Sequence, residues 1–174
     1  KMLRAKLCGW KTVEAARAAE TAGADFIGFI FWRRSHRFVE SEQAARIAEA
    51  LQRVKTVGVF VDEEPALVNA VARQCHLDFV QLHGHEDAAY AEQMEVPVIK
   101  AYRYGDGVSA AAANAAPAAM ILVETYQKGA AGGTGIHAKG TGMEGAEKFL
   151  GISLAAENEI IYIVVHRDKR NDII

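Results

Sequence analysis

Lys6-Leu7-Cys8-Gly9-Trp10-Lys11-Thr12 is the stretch on which the fold turns. Residues 5–8 read as a short apolar strand, with Lys6 its polar interruption. The strand runs into a cysteine, Gly9 lets the backbone turn, and a helix begins near Thr12. The helix, residues 13–21, is rich in Ala and Glu, which favour the helical state. Thr12 supplies an N-cap, Glu14 suits the first turn, and Gly23 suits the stop.

This strand–turn–helix step recurs. Phe26-Ile27-Gly28-Phe29-Ile30-Phe31 is a continuous apolar run, as in strands buried on both faces. A basic loop, residues 32–38, follows it. Ser41 is expected to cap a helix whose apolar positions Ala44, Ile47, Ala48 and Leu51 keep helical spacing. Residues 56–61 form a third strand. Pro65 opens the next helix where its missing N–H costs nothing, and Leu67, Val68, Val71 and Cys75 make its inner face. Residues 79–83 are a fourth strand, followed by Gly84 and an acidic helix start at Glu86-Asp87. Residues 98–102 are a fifth strand, 108–116 an Ala-rich helix, and 119–124 a sixth strand.

Strands that start every ~20–30 residues between helical patterns are βαβ units, and no hairpin dipeptide joins neighbours. An open doubly wound sheet and a (β/α)₈ barrel both fit. A G-x-G-x-x-G turn would favour the former, and Cys8-Gly9-Trp10-Lys11 is not one. In either architecture parallel strands bring their C-terminal ends to one rim. Cys8, Arg37, His83 and Glu124 stand at or just beyond such ends.

The 174 residues suffice for one domain with a real core. A formal charge of −2 creates no general field for nucleic acid or an anionic membrane surface. No apolar run approaches the ~20 residues of a membrane helix, and residues 1–5 lack a signal-peptide core. Cys8 and Cys75 make no disulfide framework, so a cytoplasmic location is expected. No Cys/His cluster has metal-site spacing.

Several motifs together carry a resemblance: Lys6-Leu7-Cys8-Gly9, Gly23-Ala24-Asp25 with Ile27-Gly28-Phe29, Arg34-Ser35-His36-Arg37-Phe38, Val57-Gly58-Val59-Phe60-Val61, Val80-Gln81-Leu82-His83-Gly84, Val98-Ile99-Lys100-Ala101 and Gly132-Gly133-Thr134-Gly135. In this order and spacing, over about residues 3–136, the chain resembles phosphoribosylanthranilate isomerase. The resemblance implies an α/β fold, a (β/α)₈ TIM barrel. It also implies an enzyme of tryptophan biosynthesis that catalyses an Amadori rearrangement of a small sugar phosphate without cofactor or metal.

Such a reaction opens a furanose ring and moves a proton from C2, so it needs an acid at the ring oxygen and a base near C2. The resemblance puts the base at Cys8. A free thiol titrates near 8.5, and a following helix N-terminus with Lys6 and Lys11 nearby is expected to lower that. The acid position falls on Glu124, where the family has aspartate. The extra methylene moves the carboxyl, and a shift of about an ångström can cost ~10²-fold. Arg37 matches the arginine that would hold the anthranilate carboxylate, and His83 is expected to line the pocket. The resemblance also implies that Gly132, Gly133 and Gly135 belong to a phosphate-binding turn after the sixth strand. Cys75 reads as a structural core cysteine, Arg33 and Arg34 as a solvated face. The other histidines carry no recognisable constellation.

Residues 1–174 are expected to form one barrel domain in which 136–174 is atypical. Residues 159–165 read as a seventh strand, or one that pairs with a neighbouring molecule. The barrel is expected to be incomplete at its C-terminal end, with open strand edges that favour a homo-oligomer and impaired phosphate binding. Two function classes stand at this point: an isomerase, its activity reduced by the tail, and a non-catalytic barrel that acts as an interaction module.

Overall fold

The apolar runs form strands, and every neighbouring pair is parallel. The computed structural model describes residues 4–104, 116–125 and 159–160, with 103–104, 123–125 and 159–160 described by their backbone. The strands are β1 (Lys6–Cys8), β2 (Phe26–Ile30), β3 (Lys55–Phe60), β4 (Phe79–Leu82), β5 (Val98–Tyr104), β6 (Met120–Thr125) and β7 (Glu159–Ile160). Each pairs with its predecessor, giving the order β1-β2-β3-β4-β5-β6-β7. A doubly wound sheet reverses its strand order at a switch point; this sheet never does, which is the ladder of a (β/α) barrel. The segment expected as a seventh strand does pair in parallel with β6, Met120 opposite Glu159 and Ile121 opposite Ile160. Residues 161–165 lie outside the described residues, as does the helix expected over 108–116, apart from Ala116.

Helices α1 (Val13–Thr21), α2 (Ser41–Glu49), α3 (Pro65–Gln74) and α4 (Ala88–Ala91) cover one face of the sheet. The alternation of side chains along each strand separates two cores. Ile27, Phe29, Phe60, Val80, Leu82 and Val98 pack with helical Ala16, Ala44, Ile47, Val68 and Ala72. Phe26, Val57, Ile99, Ala101, Met120 and Leu122, joined by Phe79, meet one another with no helical residue among the described residues. The second group is the inner face of the curled sheet. None of the described helices is long and apolar enough to cross a membrane.

The expected caps hold in part. The Ala15 N–H donates to Thr12 Oγ1 at 3.2 Å, and Pro65 occupies the first turn of α3. Ser41 is not a cap: it is the first residue of α2, Glu40 holds the N-cap position without a side-chain bond, and the Ser41 carbonyl accepts from Cys75 Sγ at 3.3 Å instead. Ahead of α4 the capping acid is Asp87, which accepts from the Tyr90 N–H at 2.8 Å.

One joint occurs twice. After α1 the chain turns through Gly23 (φ +94) and after α3 through His76 (φ +49), both left-handed. Each is followed by an apolar residue, an aspartate and a phenylalanine: Ala24-Asp25-Phe26 and Leu77-Asp78-Phe79. Asp25 Oδ2 accepts from the Ala5 N–H at 2.8 Å, and Asp78 Oδ2 from the Thr56 N–H at 2.9 Å. The carboxylate at the foot of one strand thus closes the first open N–H of the strand before it. Burial pushes the Asp78 carboxyl up, but the hydrogen bonds from Lys55 and Thr56 together outweigh that and hold it below the usual range.

Glu86, expected to start a helix, is buried instead. It is 8% exposed and Lys100 7%. Lys100 Nζ donates to Glu86 Oε2 at 2.8 Å and to the Gly84 carbonyl at 2.9 Å. The N–H groups of Asp62 and Gly84 complete the carboxylate, each at 2.9 Å. This pair ties β5 to the loops after β3 and β4.

Two outcomes are expected. Lys100→Met strands a buried carboxylate and should lower unfolding free energy by about 3–5 kcal/mol; adding Glu86→Gln should restore much of it, as read by urea titration of the three variants. A depressed carboxyl stabilises the fold above its unfolded value, and that contribution disappears as pH falls through the folded value. Asp78→Asn should therefore be less stable than the parent at pH 6 and lose less on acidification below about pH 4.

Candidate functional site

Because the strands are parallel, their C-terminal ends share one rim. Cys8 is the last residue of β1 and His83 directly follows β4. Glu124 is the penultimate residue of β6, opposite Arg103 of β5. Arg37 lies in the loop after β2, which folds back onto the strand: Phe38 bridges Ile30 in parallel, and the Val39 N–H donates to the Ile30 carbonyl at 3.0 Å.

Cys8 is built into this rim from three sides. Lys6 is two residues earlier on the same face, and Nζ donates to Cys8 Sγ at 2.6 Å. Opposite them in register, Lys6 pairs with Phe26 and Cys8 with Gly28. A Cβ on Gly28 would sit 2.3 Å from Cys8 Sγ and 3.1 Å from Lys6 Nζ, so the missing side chain makes the room for both. Gly9 (φ +94) turns the chain directly after the cysteine. Arg37 lies across that turn, its Cδ only 2.5 Å from where a Gly9 Cβ would be. Its Nη1 donates to the Cys8 carbonyl at 3.3 Å.

The other lysine expected near the thiol is elsewhere. Lys11 Nζ donates to the His36 carbonyl at 2.7 Å on the surface of the loop.

His83 is held by the same alternation that pairs Lys6 with Cys8. Gln81, two residues earlier, is buried, and its Nε2 lies 2.6 Å from His83 Nδ1. With the amide nitrogen donating, Nδ1 accepts and the ring proton sits on Nε2. The His83 N–H donates to the Phe60 carbonyl at 2.9 Å.

Beside it, Asp62 takes a left-handed conformation (φ +49). It accepts from the His85 N–H at 2.6 Å and meets His85 Nδ1 at 3.0 Å. Burial pushes the Asp62 carboxyl up, but the His85 hydrogen bonds and the charges of His85 and Lys100 hold it below its ordinary value. His85 thus has a partner that sequence reading did not find.

Of the residues expected at the site, the structure brings Cys8 and Arg37 into contact and places His83 and the backbone of Glu124 at the same end of the sheet. Gly132, Gly133 and Gly135 lie outside the described residues. Cys75 caps the C-terminal end of α3 behind the sheet. It is buried, and burial followed by the Glu42 charge pushes its thiol up to about 11, as suits a structural cysteine. Three features were not singled out from sequence: Gln81, the cut-out at Gly28, and the Glu86–Lys100 pair. The first had a usable signal, since Gln-x-His in a strand puts both side chains on one face, as Lys-x-Cys does.

Chemically, the rim offers a sulfur with an adjacent ammonium, an oriented imidazole, a planar guanidinium and a strand-end carboxylate position. A family model described as N-(5'phosphoribosyl)anthranilate (PRA) isomerase matches residues 5–146. The enzyme of that name from Geobacter sulfurreducens is 43% identical over 136 residues, which are 78% of this chain and 67% of the relative. A crystal structure of phosphoribosyl anthranilate isomerase in complex with reduced 1-(o-carboxyphenylamino)-1-deoxyribulose 5-phosphate aligns at 35% identity and a TM-score of 0.65, covering 72% of this chain and 66% of that one. The Thermus thermophilus enzyme aligns at 28% identity and a TM-score of 0.76, over 94% and 87%. The chain spans about two-thirds of the length of the relatives it matches in sequence. A parallel ladder in unbroken order, a strand-end Cys-Gly turn clasped by Arg37, and a family match over residues 5–146 agree: the chain belongs to the N-(5'-phosphoribosyl)anthranilate isomerase family.

Proposed function

We propose that the chain catalyses the Amadori rearrangement of N-(5-phosphoribosyl)anthranilate, an intramolecular aldose–ketose isomerisation in tryptophan biosynthesis. The observation that carries the reading is the Lys6–Cys8 contact at the end of β1, a sulfur and an ammonium built into the rim where parallel barrels do chemistry. In this reading Glu124 gives a proton to the ring oxygen, the C1–O bond breaks, and an iminium forms between C1 and nitrogen. Cys8 then takes the C2 proton; the C–H electron pair moves towards the iminium and yields an enolamine. Tautomerisation places a proton on C1 and leaves the ketone at C2. Atoms and oxidation level balance within the substrate, so acid and base suffice without cofactor or metal.

Arg37 holds the anthranilate carboxylate, for which a planar fork suits well. His83 lines the pocket, and the turn at Gly132, Gly133 and Gly135 takes the phosphate. The glutamate in place of the family aspartate carries one more methylene, a difference on the scale that proton transfer is sensitive to. The enzyme works in the cytoplasm, in keeping with two unpaired thiols. Edge strands β1 and β7, each with one strand partner among the described residues, suit pairing with a second copy.

Loss of anthranilate-adduct fluorescence reads the reaction. Cys8→Ala and Glu124→Gln should each abolish measurable turnover, since losing a proton-transfer group costs ~10²–10⁴-fold. Arg37→Ala should act mainly through KM. Gly28→Ala, which forces Sγ aside, should reduce kcat by about 10²-fold. Near-normal turnover in Cys8→Ala would eliminate the base assignment, and a folded parent chain without turnover would eliminate the reading.

A further inference from the structure

Lys6 is fully buried, 0% exposed, on the inner face of the sheet. An ammonium taken out of water is costly unless an anion or several acceptors replace its hydration. Lys100 shows how this chain meets that demand elsewhere, with a carboxylate and a carbonyl within 2.9 Å. Lys6 is treated differently. Among the described residues the hydrogen-bond acceptor of its Nζ is Cys8 Sγ, at 2.6 Å. A protonated thiol is a weak acceptor, whereas a sulfur anion balances the ammonium charge. Gly28 keeps the slot open at the point where any side chain would part the two groups.

We infer that Lys6 is the positioning residue of the base: its ammonium is the fixed counter-charge that orients the Cys8 sulfur and favours its anionic form. The inference rests on the functional reading above and deepens it. Lys6 acts through sulfur and takes no proton from the substrate. Removing it should slow the chemical step while leaving substrate binding to Arg37 and the phosphate turn.

Iodoacetamide alkylation of Cys8 at neutral pH, followed by peptide mass spectrometry, tests this without substrate. In Lys6→Met and Lys6→Gln the rate should fall about tenfold or more, the loss expected for one charge-assisted hydrogen bond, with Cys75 slow throughout as an internal control. Turnover should show a lower kcat at similar KM. An unchanged alkylation rate in either variant, folded by circular dichroism, overturns the inference. If neither variant folds, the parent chain decides: Cys8 should prefer anionic iodoacetate over iodoacetamide more than free cysteine does. That preference should survive in Arg37→Ala, which isolates the contribution of Lys6, and its absence there overturns the inference. A parent chain that shows the alkylation contrast but no turnover would sink the functional reading alone.

Discussion

Parallel strands cannot be joined by a tight turn, because the second must start at the same end as the first. Each βα step in this chain is a consequence of that constraint. The chain has to return across one face of the sheet, and helices α1 to α4 make the returns. The same constraint buries the strands on both faces, which is why residues 26–30 contain no polar residue. It also gathers every strand exit at one rim. Cys8, His83 and Glu124 are neighbours in architecture because they share a position in a repeated unit, although 116 positions separate the first from the last (124 − 8).

Two lysines sit inside this apolar framework, and magnitudes distinguish them. A buried ion pair gains little over a well-packed apolar pair, yet breaking one costs several kcal/mol. Lys100 and Glu86 form such a pair with every carboxylate oxygen bonded, and they join three loops and strands. That arrangement suits a structural tie. Lys6 faces a sulfur, the softer and less certain partner, and a framework built only for stability would place an apolar residue there. On the inference drawn for Lys6, that charge serves the site rather than the fold.

Much of this was readable in advance, and the exceptions have physical reasons. Strand positions followed from uninterrupted apolar runs, and α1 matched residues 13–21 because Ala-rich sequence and a threonine cap agree locally. Ser41 misled because capping propensity is local, while the helix start was set by where the β2 loop folds back. Glu86 resembled an ordinary first-turn acid; only the approach of β5 revealed its partner, 14 residues away. Cys75 and Cys8 differ in context as the sequence implied, one on a helix flank and one at a strand end. The cut-out at Gly28 depends on cross-strand register, which no single segment contains.

Each strand's ladder partner is the one made just before it. Chain entropy lost in closing such a contact grows only slowly with the length of the intervening segment, and from β1 to β5 that segment is one helix and two loops. Contacts of this kind form quickly compared with pairings between distant strands. On a ribosome, β2 can dock on β1 as soon as α1 and β2 have emerged, with Asp25 ready to seal the Ala5 end. β3 and β4 can follow in turn, with Asp78 sealing Thr56. Sequential docking keeps short the interval in which a bare apolar strand faces the cell. Synthesis order and ladder order thus coincide from β1 to β7, an arrangement that lets each strand edge be covered as the next strand appears.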